Sequence, residues 1–304
     1  MPAESMPAES MVAESSWHSA TARPLVMGVL NVTPDSFSDG GLYLDAERAV
    51  AHGLDMVRSG ADVVDVGGES SRPGAEPVSE REELRRVVPV IEALSHHVRV
   101  SVDTVKRGVA EAAIGAGATL LNDITASLWP VAAEGGVGWV AMHMQGEPRT
   151  MQRDPHYGDV VAEVHQFLRE RAGAARRGGV GEVWVDPGIG FGKTAAHNLA
   201  LLHHLPELVD EGSPVLVGTS RKSFLGPLSP GPSGEPSGVE GRLPGSIATA
   251  TWAMLAGASM VRVHDVPSAR QAAVLVGATR LAATVAKDQF GEGPRAMTTT
   301  RGDR

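Results

Sequence analysis

The feature that most constrains this chain is one pattern written eight times: a short, nearly unbroken apolar run that ends in a polar residue. The runs are PLVMGVLNVT, ADVVDVGGES, VRVSVDT, TLLNDIT, GWVAMHMQ, EVWVDPG, PVLVGTSR and MVRVHDV. Each is rich in β-branched residues and nearly continuous in hydrophobicity, as strands buried on both faces of a parallel sheet are. The segments between them have helical period. Ala46, Ala49, Val50, Gly53, Leu54 and Val57 share one face, with Asp45 near the start and Gly60 past the end. Ser79 and Glu82 have capping-box spacing, and Leu84, Val87, Val88, Ile91 and Leu94 follow at helical intervals. Pro89 lies inside that pattern and predicts a kink or a late helix start.

Eight such βα units in about 260 residues, with no obvious linker, predict an α/β single-domain (β/α)8 TIM barrel. A doubly wound sheet would need a glycine-rich turn after its first strand. The first turn here, NVTPDSFSDGG, lacks it. The polar strand ends are Asn31, Glu69, Asp103, Asn122 with Asp123, His143, Asp186, Arg221 with Lys222, and Arg262 with His264. In a barrel these ends converge on one face, where active sites are built. One polar strand end is ordinary loop solvation, but eight alike are not.

The stretch VDPGIGFGKTAAHN, residues 185–198, imitates a phosphate-binding P-loop. That motif needs four residues between its glycine and the Gly-Lys-Thr ending. Only three separate Gly188 from Gly192, so the spacing fails by one. Asp186 is instead read as a ligand-facing strand end, and Lys193 is expected to pack or to face solvent.

Composition removes several function classes. Net charge is −9, from 27 basic and 36 acidic residues, with no basic stripe for a nucleic acid. No apolar run approaches the roughly 18 residues of a membrane span. There is no cysteine, which excludes disulfides, thiolate metal sites and a cysteine nucleophile. Nothing marks export, so a cytoplasmic protein is the expectation. Residues 1–22 include a five-residue acidic motif written three times and are expected to be a disordered tail. The barrel is expected over 23–286 and a polar tail over 287–304, where Arg301-Gly302-Asp303 is read as a chance match.

Two kinds of group converge on the predicted rim. Asp103, Asn122 and Asp186 suit the edge of a flat heterocycle, because a carboxylate accepts two parallel N–H bonds and Asn both donates and accepts. Arg72, Arg221, Lys222, Arg262 and His264 suit phosphate or carboxylate. The loops NVTPDSFSDGG and GGESSRPGA carry Gly and Pro and could close over a reactive intermediate.

The same residues carry a resemblance. MGVLNVTPDSFSDGG, VDVGGESSRPGA, SVDT, NDI, MHMQGEPRTMQ, DPGIGFGKT-x-x-HN, GTSRKSF, GSIAT and VRVHDV, in that order from Leu25 to Ala286, resemble the dihydropteroate synthase family. The resemblance implies a barrel that joins 6-hydroxymethyl-7,8-dihydropterin pyrophosphate to p-aminobenzoate, with magnesium, commonly as a homodimer. Asp103, Asn122 and Asp186 would then hold the pterin edges, and Lys222 would reach the pterin and face the aminobenzoate. Phe191 and Met144 would wall the ring. Asn31 would coordinate magnesium on the pyrophosphate, and Arg262 and His264 would bind the pyrophosphate itself. Ser71 and Arg72 would lie near the phosphates and the incoming amine. Phe37 and Asp39 would sit on the closing first loop. Ser223 would meet the aminobenzoate carboxylate at the tip of the following helix.

The other polar and aromatic residues receive plainer roles. His143 is expected to orient the pocket floor, Asp65 and Asp123 to support or cap, Trp129 and Trp139 to pack, and His203 and His204 to lie at the surface. Two rivals share the resemblance: a pterin-binding barrel that moves a methyl group from a folate to a corrinoid partner, and a paralogue that binds pterin without turnover. The first would lack the first-loop, SSRPG and SRKSF tags, all present here. The second would be expected to lose loop residues first. One departure is LGPLSPGPSGEPSGVEG, between Phe224 and Arg242, which is read as a flexible loop.

Overall fold

The computed structural model describes residues 23–33, 42–70, 76–231 and 234–290. The chain runs β1 (Leu25–Asn31), α1 (Leu42–Arg58), β2 (Val63–Gly67), α2 (Glu80–Leu94), β3 (Arg99–Asp103), α3 (Arg107–Gly115), β4 (Leu120–Asp123) and α4 (Trp129–Gly135). It continues with β5 (Gly138–Met142), α5 (Val160–Arg177), β6 (Val183–Asp186), α6 (Ala195–His203), α7 (Leu205–Asp210) and β7 (Leu216–Val217). It closes with α8 (Leu225–Leu228), α9 (Leu243–Leu255), β8 (Met260–Val263) and α10 (Val266–Phe290). All eight apolar runs form strands, and all pair in parallel in the order β6-β5-β4-β3-β2-β1-β8-β7. A parallel bridge between Val185 and Val215 joins the two ends of that order. The result is a (β/α)8 barrel.

Strand periodicity explains how the barrel makes a floor and then a site. Met27, Val63, Leu120, Val140, Trp184, Leu216 and Met260, one residue from each of seven strands, form a separate buried apolar cluster. This cluster is the barrel's interior plug. Side chains alternate faces along a strand, so the residues two positions later face the same way. Those residues are Val29, Asp65, Asn122, Met142, Asp186, Gly218 and Arg262, and Asp103 stands two beyond the buried Ser101 of β3. The polar layer therefore lies one step above the plug, towards the strands' C-terminal ends. The intervening strand residues face out. Val26, Val64, Val66, Val100, Val102, Leu121, Val183 and Val185 pack with apolar helix residues such as Val87, Ile91, Leu94, Val164 and Leu168.

Local signals act as their chemistry requires, with three differences. Ser79 caps α2 by accepting from the Glu82 N–H at 3.3 Å. Glu82 pairs with Arg85 and Arg86 on the next turn, so its carboxylate is committed outside the cap. The late start expected from Pro89 does not occur: α2 begins at Glu80 and runs past Pro89 to Leu94. Its burial against β2 and β3 supplies what one lost backbone bond removes. The segment after Phe224 is not a structureless loop. It contains α8 and a 3-10 turn at Glu240–Arg242, and Ser237 N–H donates to the Gly226 carbonyl at 3.1 Å.

Truncating the plug tests this architecture. Leu120→Ala removes a fully buried side chain and should cost about 2–5 kcal/mol. Urea unfolding should show a lower midpoint with an unchanged denaturant slope.

Candidate active site

The polar layer is organised around a guanidinium. Arg262, delivered by β8, donates from Nε to Asp65 Oδ2 at 2.6 Å and from Nη2 to Asp103 Oδ2 at 2.8 Å. It thus spans from β8 across β1 to β2 and β3. Asn122 Nδ2 donates to the same Asp65 oxygen at 3.0 Å. Asp65 is fully buried, and buried carboxylates persist where a cation and hydrogen bonds offset their desolvation. Two acceptors in this layer, Asp65 Oδ1 and Asn122 Oδ1, are buried without a partner among the described residues. A buried acceptor left without a donor calls for an explanation, and a ligand donor is one.

Asp186 stands on the other side, at the end of β6. Its Oδ1 accepts from the Gly188 N–H at 2.7 Å, which fixes the carboxylate's orientation. Lys222 reaches in from the turn after β7 and holds its Nζ 3.8 Å from the centre of the Phe191 ring, a cation–π contact. Phe191 belongs to a small apolar cluster with Ile124, Met142 and Met151, against which Met144 packs. The site is therefore a polar bed beside an aromatic and methionine wall.

Burial dominates the electrostatics. It pushes the Asp103 carboxyl up to about 7, against the pull of Arg262, and Asp186 up to about 6. It draws Lys222 down to about 7, and the Arg262 charge acts in the same direction. Arg262 moves the other way: the Asp65 and Asp103 carboxylates outweigh its desolvation and raise it further.

Below the wall, Lys193 is nearly fully buried, with 3% of its surface exposed. Its Nζ meets His143 Nδ1 at 3.0 Å and donates to the Gly188 and Phe191 carbonyls at 3.0 Å and the His143 carbonyl at 3.3 Å. Burial and the neighbouring ammonium hold His143 down at about 3, so its ring is neutral. The P-loop likeness ends here. A capping box closes the start of α6: Thr194 Oγ1 accepts from His197 N–H and His197 Nδ1 from Thr194 N–H. The lysine binds its own turn's carbonyls, and that helix end is not a phosphate cradle.

Residues 27–264 match the family described as pterin binding enzyme. The chain is 48% identical over 263 residues to the dihydropteroate synthase of Mycobacterium leprae, covering 83% of this chain and 92% of that protein. The chain belongs to the dihydropteroate synthase family. A solved Xanthomonas albilineans dihydropteroate synthase with 4-aminobenzoic acid superposes with a TM-score of 0.78 at 47% identity, covering 86% of this chain and 94% of that one. The same enzyme solved with 7,8-dihydropteroate gives 0.74 at 44% identity, covering 86% and 95%. Members of this family are transferases, and this chain is one of them.

Within that family frame the structure brings together Asp103, Asn122, Asp186, Lys222, Arg262, Phe191 and Met144 around one layer. Asn31 and His264 stand above it at the ends of β1 and β8, and His264 Nδ1 lies 3.1 Å from Ser220 Oγ. Phe37, Asp39, Ser71 and Arg72 lie outside the described residues. Ser223 is exposed, and the helix after it has only four residues, so the expected dipole contribution there is small. Lys193 packs, and the solvent-facing alternative is excluded by its burial. Asp123 accepts from Thr125, Ser127 and Leu128 N–H groups and from Trp139 Nε1, the capping and packing roles expected of this pair. His203 is exposed and His204 pairs with Glu207.

Two residues carry more than the sequence reading assigned. Asp65 is the shared acceptor of Arg262 and Asn122. Its signal was a charge in the middle of an apolar strand, which must face a partner. Lys193 had no sequence signal beyond its company of glycines.

The raised carboxyls make opposite pH predictions for stability and binding. Between about pH 4 and 7 the folded chain holds protons on Asp103 and Asp186 that the unfolded chain has released. Their contribution to stability is full below about pH 4 and is lost as pH rises through 6 to 7. A heterocycle donating N–H groups needs the carboxylates, so its affinity should rise over the same range. The stability of the wild type relative to Asp103→Asn should fall between pH 5 and 8 by at most about 1.4 kcal/mol per pH unit. Pterin titrations at the same pH values should show tightening.

Proposed function

We propose that this chain condenses 6-hydroxymethyl-7,8-dihydropterin pyrophosphate with p-aminobenzoate, giving 7,8-dihydropteroate and pyrophosphate. The observation that carries this reading is the buried layer with two orphaned acceptors beside a carboxylate and an aromatic wall. A pterin edge presents N–H donors to such acceptors, and its face suits Phe191 and Met144. Asp103, Asn122 and Asp186 hold the edge, and Lys222 lies over the ring position next to the incoming amine.

In the reaction the bond between the pterin methylene and the pyrophosphate oxygen breaks, and its electron pair leaves with the pyrophosphate. The electron-rich ring delocalises the cation left behind, which favours an SN1-like path. The neutral aromatic amine of aminobenzoate then forms the new C–N bond and sheds a proton. Neither a protein nucleophile nor a strong base is needed. Arg262 and His264 are assigned to the departing pyrophosphate, with Ser71 and Arg72 from the second loop. One well-placed donor of this kind lowers the barrier by about 3–4 kcal/mol. Phe37 and Asp39 on the first loop, Ser71, and Ser223 are assigned to closing the site and receiving aminobenzoate.

A magnesium ion fits Asn31 as a single amide-oxygen ligand. Among the described residues no group of three or more His, Asp or Glu forms an all-protein cage. Magnesium needs none, since it keeps water and takes substrate phosphate oxygens. Gly67 leaves room there: a Cβ on it would lie 3.8 Å from Asn31 Oδ1. When bound, the ion would neutralise charge on the diphosphate.

We place the working barrel at residues 23–286, between an N-terminal tail and a polar C-terminal one, in the cytoplasm and as a homodimer. Among the described residues no helix is long and apolar enough to cross a membrane. Support for the dimer is an apolar surface on two neighbouring helices: Trp252 and Leu255 of α9 are 57% and 63% exposed, and Leu275 and Leu281 of α10 are 68% and 53%. Arg280 Nη2 donates to the Met254 carbonyl and ties the two helices together.

Formation of 7,8-dihydropteroate should require both substrates, and aminobenzoate should accelerate pyrophosphate release. The absence of 7,8-dihydropteroate when both substrates are present would overturn the condensation. Asp186→Asn should weaken pterin binding roughly 10²-fold in calorimetry, the scale of two charge-assisted hydrogen bonds. In sedimentation velocity the wild type should run as a dimer and Leu275→Glu as a monomer.

A further inference from the structure

We propose that Lys193 is a positioning residue, whose buried ammonium shapes the β6–α6 turn so that Asp186 and Phe191 face the pterin. The inference rests on the pterin-binding reading above and adds a residue to it.

The geometry is that of an internal strut. Lys193 gathers the Gly188 and Phe191 carbonyls from its own turn and the His143 carbonyl and Nδ1 from the end of β5. Both ends of the bridge touch site residues. On one side, His143 N–H donates to the Asp186 carbonyl at 3.0 Å, and Gly188 N–H donates to the Asp186 carboxylate. On the other, the Phe191 carbonyl belongs to the residue whose ring lies under Lys222.

The turn adopts a shape that needs such a strut. Gly188, Gly190 and Gly192 have φ of +66°, +82° and +59°, the left-handed region that side chains disfavour. A Cβ at Gly188 would fall 1.8 Å from the His143 carbonyl oxygen, so the turn is pressed onto β5. Its carbonyls then point inward, towards one another and away from water. Buried carbonyls need donors, and a protonated lysine supplies three from one atom. The outer peptide groups of the same turn have separate holders. Asn198 Oδ1 accepts from Gly190 N–H at 2.7 Å, Gln152 Nε2 donates to the Gly190 carbonyl at 2.6 Å, and Tyr157 Oη donates to the Gly192 carbonyl at 2.9 Å. Lys193 is the described side chain that binds the inner ones.

The strut serves the pterin half of the site. Its partners lead to Asp186 and Phe191, whereas the β7–α8 turn has its own anchors: Ser246 Oγ accepts from Arg221 N–H, and Arg242 donates to the Arg221 carbonyl. A uniform structural role would weaken both halves together.

The test uses the full-length chain. Wild-type turnover with both substrates is measured first, and its absence would sink the parent reading, not this one. Lys193→Met keeps the length and apolar stem but removes the donors. It should raise the pterin Kd at least tenfold, measured by calorimetry, while the KM for aminobenzoate at saturating pterin stays within about threefold. Lys193→Arg, which restores charge and donors, should recover part of the pterin affinity. A folded Lys193→Met with pterin Kd within twofold of wild type overturns the proposal, as does an equal loss for both substrates. If Lys193→Met does not fold, His143→Leu removes the imidazole partner and carries the test. A pterin Kd raised threefold or more supports the strut, and an unchanged one overturns it.

Discussion

The Arg262 guanidinium between Asp65 and Asp103 is the interaction on which the site depends. Isolated carboxylates in a barrel interior would be desolvated at large cost, and protonation or misfolding would relieve it. One planar cation with several fixed donors bridges both and leaves one oxygen of Asp65 without a partner among the described residues. The bridge also locks topology. It joins β8 to β2 and β3 across β1, so the parallel register Met27↔Arg262 and Met27↔Val63 must hold together. A slip of one residue would turn Asp65 out towards the helices and Val64 into the pore.

Above that bridge the charges balance. Asp65, Asp103 and Asp186 face Arg262, Lys222 and the buried Lys193 in one neighbourhood. Burial moves the acids Asp103 and Asp186 up and the lysines down, so both kinds sit nearer neutrality than they would in water. Such a bed suits a neutral, flat, polar ring. His264 and Asn31 stand at the strand tips, above this bed.

Much of this was legible in the sequence because strand period and strand-end polarity are local. A buried parallel strand must be apolar, and a polar residue closing it must face the rim, so Asp103, Asn122 and Asp186 could be placed together from spacing alone. What was not legible is pairing. The sequence says that Arg262 reaches the rim but not that its first partners are Asp65 and Asp103. Lys193 reads in the sequence as packing or facing solvent; that it packs by gathering carbonyls depends on three left-handed glycines whose φ no spacing rule supplies. The late helix start that Pro89 suggested fails for a related reason: tertiary burial of α2 outweighs the local cost. The segment after Phe224 read as flexible from composition, yet Arg242 fastens it by donating to the Ser237 and Arg221 carbonyls.

The arrangement carries a cost that the ligand is placed to offset. Orphaned acceptors and half-neutralised acids are unfavourable in the ligand-free fold, since apolar replacements would pack without desolvation. The plug beneath shows what the same barrel does where no ligand is to be bound: seven apolar residues and no charge. The change from plug to polar layer occurs in a single strand step. Stability is therefore concentrated in the lower barrel and recognition in the layer above it. A ligand whose donors reach Asp65 Oδ1 and Asn122 Oδ1 would satisfy two buried acceptors that folding leaves unmatched, so binding and stability would be coupled at these two atoms.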